Sequence, residues 1–282
     1  MLQSVPLNSS PSLDHQRTTT NPFLALRQKY DNIYAIVSPP RCSSTAFSRV
    51  FWEHPAVRYY SHEPFEVTYY MNQDLQQVYQ KMLQPLDLAL VKKNMVEKMG
   101  NSLVMKEMPY QVGKYFNLLA ETAVKPIIFL IRDPRLNISS RIEKKEMVGD
   151  SYKFPLIETG WELIAKQIEY CRTQKIPHMI VDSSDFRNHP TTVFRKIFTR
   201  LGLPFSEEML TWQATDVEID NLDGEHRHLY ERVLSSKNLQ PATEFVPTLD
   251  MFPSGNGFRS HLSDCIDIYR SLRRAPERVM VV

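Results

Sequence analysis

The run Ile127 to Ile131 in PIIFLI sets the tightest limit on what this chain can fold into. It is the longest strongly apolar stretch, far too short to span a bilayer. It ends at Arg132, Asp133 and Pro134. An unbroken apolar run of this length reads as a strand buried on both faces. His178 to Val181 (HMIV) repeats the pattern. Ile33 to Ser38 (IYAIVS), Ala56 to Ser61 and Asn101 to Met108 (NSLVMKEM) supply further strands.

Between these runs the apolar spacing becomes helical. Ala46, Phe47, Val50 and Phe51 form a stripe on a helix from about Ser44 to His54, stopped by Pro55. Helices are expected from Val112 to Thr122, from Pro134 to about Val148, from Ile157 to Gln174, near Thr191 to Leu201 and Ser206 to Trp212, and from Leu262 to Leu272. Asp182 to Asp185 reads as a turn. Met71 to Gly100 is patterned as helix around Leu75, Val78, Tyr79 and Leu83, then Leu88 and Val91, as a lid or insertion over the sheet edge. Strands alternating with helices predict an α/β class: three layers, α/β/α, around a central parallel sheet. Ligands in such sheets bind beyond the carboxyl ends of the strands. The 282 residues suit one domain over 22–282, preceded by a flexible arm over 1–21 rich in Ser, Thr, Asn and Pro.

Composition narrows the partners. A net charge of +2 points to neither nucleic acid nor an anionic membrane, so local basic groups must carry any anion binding. The arm lacks the apolar core of a secretory signal. Cys42, Cys171 and Cys265 are far apart and odd in number, which supports neither a disulfide framework nor a zinc knuckle and suits a reducing cytoplasm.

Two segments after strands attract attention. In Pro39-Pro40-Arg41-Cys42-Ser43-Ser44-Thr45-Ala46-Phe47 a helix starts inside the loop. Its first N–H groups lack partners within the helix, and its dipole favours an anion. Ser43, Ser44 and Thr45 add hydroxyls and Arg41 a forked cation. A serine N-cap explains the same residues without a ligand. The loop has neither the glycines nor the lysine of GxxxxGK[ST]. In Ile131-Arg132-Asp133-Pro134-Arg135, Arg132 ends a strand and Ser140 follows eight residues later on the next helix. The pair can converge on one phosphate, with Ser139 a near alternative and Arg135 adding charge; an Arg132–Asp133 ion pair is the plainer reading.

Pro40-Arg41-Cys42-Ser43-Ser44-Thr45 resembles the 5′-phosphosulfate loop of the sulfotransferase family, written PRSGT/S or PKSGT, with Ser43 where the family has glycine. Arg132 and Ser140 match that family's 3′-phosphate spacing. Val181-Asp182, Phe186, Pro190, Leu201-Gly202-Leu203-Pro204 and Glu208 are similar to its later strand and helices, so the likeness covers roughly residues 30 to 210. It implies a P-loop NTPase-like sulfotransferase fold. It further implies an enzyme that moves a sulfuryl group from 3′-phosphoadenylyl sulfate (PAPS) to a hydroxyl or amine, giving PAP, with no metal. The acceptor would be a small molecule or a peptide.

Such a transfer needs a base for the acceptor proton and cations for the transferring oxygens. Glu63, in Ser61-His62-Glu63-Pro64-Phe65, lies 22 residues after Arg41. Carboxylate bases sit near this spacing in family branches that include the protein-tyrosine sulfotransferases. Glu63 is the expected base and His62 the runner-up, although both also suit a loop cap. Lys106, in Val104-Met105-Lys106-Glu107-Met108-Pro109-Tyr110, is similar to the family's Lys-x-x-Pro segments and is expected on the sulfuryl or bridging oxygens, or else paired with Glu107 at the surface. Many cytosolic members carry a histidine base about here and this chain does not, which favours Glu63. Arg259, in Gly255-Asn256-Gly257-Phe258-Arg259-Ser260-His261, is the candidate for a loop closing over the 3′-phosphate.

His226 and His228 read as surface residues, Trp161 and Trp212 as core anchors, and Cys42 as a small structural residue. Tyr69, Tyr70, Tyr110, Trp52 and Phe65 are open to two readings, an aromatic acceptor pocket or core. Two other functions remain open at this point: a P-loop nucleotide kinase or hydrolase, and a non-catalytic nucleotide-binding protein of the same fold. Sulfation as an end product and sulfation that activates a later elimination or cyclisation read alike.

Overall fold

Strands β1 (Ile33–Val37), β2 (Val57–His62), β3 (Leu86–Asp87), β4 (Ser102–Glu107), β5 (Ile127–Ile131) and β6 (His178–Asp182) form one sheet in the order β3-β2-β4-β1-β5-β6. Neighbours run parallel except β2 and β3, which are antiparallel. The computed structural model describes residues 21–91, 97–147, 149, 154–215, 217, 219, 228–255 and 257–281, with only the backbone of residues 228 and 229. The arm expected over 1–21 therefore lies outside the described residues except for Asn21, which is buried and whose side chain donates to the Leu118 carbonyl at 2.9 Å.

The sheet divides two cores because successive strand residues point to opposite faces. Ile33, Ala35 and Val37 of β1 and Ile127, Phe129 and Ile131 of β5 face one core; Tyr34, Ile36, Ile128 and Leu130 face the other. Each such side chain contributes about 1.5–3 kcal/mol when fully buried. The covering helices are α1 (Ser44–Trp52), α2 (Leu75–Leu83), α3 (Phe116–Thr122), α4 (Pro134–Met147), α5 (Trp161–Thr173), α6 (Pro190–Leu201) and α7 (Phe258–Arg273). Helices α1 and α6 cover the second face, with Phe47 and Phe194 4.9 Å apart and Phe51 and Phe198 5.0 Å apart. The remaining five pack on the first face. The expected three layers are present. Trp161 and Trp212 are core residues, as read from the sequence.

Several boundaries differ, each for a local reason. Gly160, at φ +77, breaks the helix expected from Ile157, leaving a 3₁₀ turn, Leu156–Thr159, before α5. Gly113 (φ +45) likewise separates a short helix, Pro109–Val112, from the turn leading to α3. The turn at Asp182 is a helix start: its carboxylate accepts the Ser184 N–H at 2.9 Å and caps Ser183–Asn188. Ser206 to Trp212 holds only a 3₁₀ turn, Glu207–Leu210, and α7 begins at Phe258 rather than Leu262. Met71 to Gly100 contributes α2 and then the edge strand β3, where Leu86 pairs with Tyr60. No helix among the described residues is long and apolar enough to cross a membrane.

Candidate active site

The chain leaves β1 for α1 at the carboxyl ends of β4 and β5, the two strands flanking β1. Arg41 (φ +63) and Ser43 (φ +61) take the left-handed conformation that side chains disfavour. Ser43 thereby occupies the backbone state that a glycine there would supply. It precedes α1 without a side-chain capping bond, so the N–H groups of the first turn stay available to a ligand. The loop is held from the neighbouring strand and helix: Arg132 Nη1 donates to the Arg41 carbonyl at 2.7 Å and Asn137 Nδ2 to the Pro40 carbonyl at 3.1 Å. Cys42 sits between Arg41 and Ser43. Its thiol is fully buried and turned to the Pro40 carbonyl, and burial pushes it up to about 12, so only its main chain is offered to a ligand.

A cavity of about 470 Å³ opens on this loop. Arg41, Ser43, Ser44 and Thr45 line one part of it, and Arg132, Ser139 and Ser140 another. The two expected anion sites share one space, and Arg41 Nε donates to Ser140 Oγ at 3.3 Å. Sequence reasoning missed two further residues there. Arg187, just past the end of β6, donates to the Gln240 and Pro241 carbonyls at 2.8 and 2.7 Å. Glu244 places Oε1 3.0 Å from Arg132 Nη2 and 2.5 Å from Arg187 Nη1. A carboxylate of the chain itself already spans two arginines of the cavity. The rule that site residues follow strands points to Arg187; nothing local marks Glu244.

The groups expected to carry the reaction gather beside this cavity. Lys106 and His62 are cross-strand partners in the parallel β2–β4 pair, so they point to the same face. Glu63 leaves the strand at φ +47, which turns its carboxylate back to them. Lys106 Nζ and Glu63 Oε1 form an ion pair, Gln111 Nε2 donates to Glu63 Oε2 at 2.7 Å, and His62 Nε2 lies 3.2 Å from Oε1. Glu63 is wholly buried. Burial pushes its carboxyl up, but the Lys106 ammonium and the His62 side chain outweigh this and hold it well below the usual carboxylate range. The surface pair Lys106–Glu107 does not form, because adjacent strand residues point to opposite faces. Glu107 instead accepts the Phe65 N–H at 2.9 Å, and burial raises its carboxyl well above the ordinary value.

His62 is also buried, which lowers its pKa despite Glu63. An ionised carboxylate only accepts, so Nε2 carries the proton toward Glu63, and Nδ1 accepts from the Tyr60 hydroxyl at 2.7 Å. In this arrangement His62 is a neutral donor that orients Glu63. Tyr230, a third residue missed from sequence, places its hydroxyl 3.0 Å from the same Nε2 across 168 residues of chain.

Other candidates lie elsewhere. Arg259 donates to the Phe252 and Asp250 carbonyls, both at 2.8 Å, and does not line the cavity. Arg135 is held by Asp133. Trp52, Phe65 and Tyr110 are core residues, and the half-buried Tyr69 and Tyr70 pack around Tyr110. His226 and the side chain of His228 lie outside the described residues. Among the described residues no cluster of His, Cys, Asp and Glu is arranged to hold a metal ion.

The sequence model described as a sulfotransferase domain matches residues 32–251. The chain belongs to the sulfotransferase family. No curated protein matches this sulfotransferase in sequence. Solved structures similar to it include the sulfotransferase domain from the curacin biosynthetic pathway, with 16% identity, a TM-score of 0.48, and coverage of 85% of this chain and 97% of that one. The sulfotransferase domain of the Synechococcus PCC 7002 olefin synthase is 15% identical, with a TM-score of 0.49 and coverage of 85% and 94%. A mouse sulfotransferase complexed with PAP is 11% identical, with a TM-score of 0.43 and coverage of 86% and 88%. Family membership makes the protein a transferase.

Proposed function

We propose that the protein is a PAPS-dependent sulfotransferase that transfers the sulfuryl group to a hydroxyl or amine of a small-molecule or peptide acceptor. One observation carries this reading: Arg41 and Arg132, predicted to hold opposite ends of one nucleotide, open onto the same cavity of about 470 Å³. Arg41, the N–H groups at the start of α1 and the Ser43, Ser44 and Thr45 hydroxyls would hold the 5′-phosphosulfate. Arg132, Arg187, Ser139 and Ser140 would hold the 3′-phosphate, which must displace Glu244 to do so.

The chemistry follows from the pairing of Lys106. While its ammonium rests on Glu63, that carboxylate is a weak base. The sulfuryl oxygens of a bound donor offer Lys106 a second anion, and as the ammonium moves toward them Glu63 becomes more basic. The acceptor proton then passes to Glu63 while the acceptor oxygen bonds to sulfur. The bond from sulfur to the phosphate oxygen breaks, and PAP leaves with that electron pair, its charge met by Arg41 and Lys106. All three cysteines are free and buried, in keeping with work in a reducing cytoplasm.

Calorimetry with PAP tests the nucleotide assignment directly. Micromolar binding is expected, weakened roughly 10- to 100-fold in Arg132→Ala, since a lost charged hydrogen bond costs about 1.5–3 kcal/mol. Unchanged PAP affinity in that variant would remove the assignment.

A further inference from the structure

A second cavity, of about 410 Å³, meets the cluster at His62. Tyr60, Ser61 and His62 at the end of β2 form one wall, and Gln77, Gln80 and Gln84 form another. Lys106 and Tyr230 line the first cavity, whereas His62 lines the second. Glu63, wholly buried, is bonded to both Lys106 and His62. The cluster therefore borders both spaces, with Lys106 and Tyr230 facing the first and His62 the second.

The second cavity is built for hydrogen bonding without net charge. Gln77, Gln80 and Gln84 rise along one face of α2 and its C-terminal cap, spanning about 10 Å of helix axis. Each side-chain amide offers two donors and an acceptor, and none of the three has a partner among the described residues. Lys81 is the one Lys, Arg, Asp or Glu among the described lining residues, and its ammonium is paired with buried Glu66. Pro85, Leu86 and Ile219 add an apolar strip. A row of neutral amides beside such a strip matches a molecule with hydroxyls along one edge and C–H groups along another. An acidic peptide would find no unpaired cation among these residues.

We propose that this second cavity is the acceptor site and takes a neutral saccharide, one of whose hydroxyls reaches His62 and Glu63; this rests on the sulfotransferase reading above. The Tyr230 hydroxyl, 3.0 Å from His62 Nε2, stands where the incoming hydroxyl would bind. On transfer, the sugar O–H bond breaks with its proton going to Glu63, the sugar oxygen bonds to sulfur, and PAP departs with the electrons of the broken sulfur–oxygen bond.

The test measures maltotriose binding by saturation-transfer NMR and PAP binding by calorimetry, on the full chain and its Gln80→Leu and Gln80→Trp variants. Maltotriose contact is expected in the parent chain, several-fold weaker in Gln80→Leu and lost in Gln80→Trp, whose indole fills the space. PAP affinity is expected to stay within about twofold in both variants, which also shows that they fold. Absence of maltotriose contact in the parent, contact unchanged in both variants, or Gln80-dependent binding of an aspartate-flanked tyrosine peptide instead would overturn the proposal. Gln80-dependent maltotriose binding without any PAP binding supports the cavity and removes the nucleotide reading. PAP binding without maltotriose contact does the reverse.

Discussion

The anion cavity and the reaction cluster stand side by side but solve opposite problems. The cavity is open: the N–H groups at the start of α1 wait for a ligand, while Arg41 rests on Ser140 and Glu244 occupies the Arg132–Arg187 end. In the cluster each acid or base is met by another: Glu63 by Lys106, His62 and Gln111, and His62 by Tyr60 and Tyr230. Anion binding needs unpaired donors, whereas a buried carboxylate next to a lysine persists only if both are paired. The contrast teaches that open donors and paired titratable groups are separate here; on the proposed mechanism Glu63 stays quiet until the donor competes for Lys106.

The sharpest way to break that separation is Glu63→Gln. Turnover with radiolabelled PAPS is expected to fall about 10²- to 10⁴-fold, the usual share of a general base, while PAP affinity measured by calorimetry holds. Retained turnover would remove Glu63 as base and point to His62. The next effect lies at the occupied end of the cavity. In Glu244→Gln the carboxylate no longer competes with the 3′-phosphate. Because the Glu244 side chain is about a third exposed, its pairs are screened, and PAP should bind only roughly three- to tenfold more tightly. Weaker PAP binding in this variant would mean that Glu244 organises Arg132 and Arg187 rather than blocking them.

The same contrast separates what was legible in the sequence from what was not. The cavity is built from segments that carry their own signals: an apolar strand, a serine-rich helix start, an arginine eight residues before a serine. Each depends on local spacing, and the sheet brings them together once β5 lies beside β1. Glu63, His62 and Lys106 could be named because each ends or follows a strand, but their partnership could not. Lys106 pairs 43 residues away with Glu63, and the chain between them builds α2 and β3. Tyr230 lies in a short helix, His228–Leu234, and Glu244 in the irregular stretch after it, and no local rule there distinguishes a site residue from a structural or solvated one. Arg259 failed for the converse reason. A glycine-bearing basic loop looks like a lid, yet the adjacent carbonyls of Asp250 and Phe252 satisfy its guanidinium.

A smaller effect probes the cluster's far side. Burial holds the Glu107 carboxyl well above its ordinary value of 4.5, and Oε2 has no hydrogen-bond partner among the described residues. Between those two values the unfolded chain has released a proton that the folded chain keeps. Stability therefore falls as pH rises through the ordinary carboxylate range toward the raised value. Glu107→Gln keeps the shape of the neutral acid and does not titrate. Its melting temperature should exceed that of the parent by a few degrees at pH 8, with the gain gone by pH 4. Glu63 contributes the opposite slope, being ionised in the fold and losing stability as pH falls below 4.5, but it does so in both proteins and cancels in the comparison. An equal gain at both pH values would show that packing, not ionisation, sets the effect.

The smallest effect bears on the serine that stands where the family's anion loop has glycine. Ser43 holds φ +61 without using its hydroxyl as a helix cap. Glycine would relieve about 1–2 kcal/mol of left-handed strain and lose about 0.5–1 kcal/mol through the larger freedom of the unfolded chain. Ser43→Gly should therefore stabilise the fold by up to about 1.5 kcal/mol, raising the melting temperature by up to roughly 3 °C. If the hydroxyl is a ligand for the phosphosulfate, PAP should bind about two- to threefold more weakly in the same variant. Stability and affinity would then move in opposite directions at one position. A variant that gains both would show that serine contributes nothing to the loop that glycine does not supply better, and the cavity's donors would reduce to Arg41, Ser44, Thr45 and the helix N–H groups.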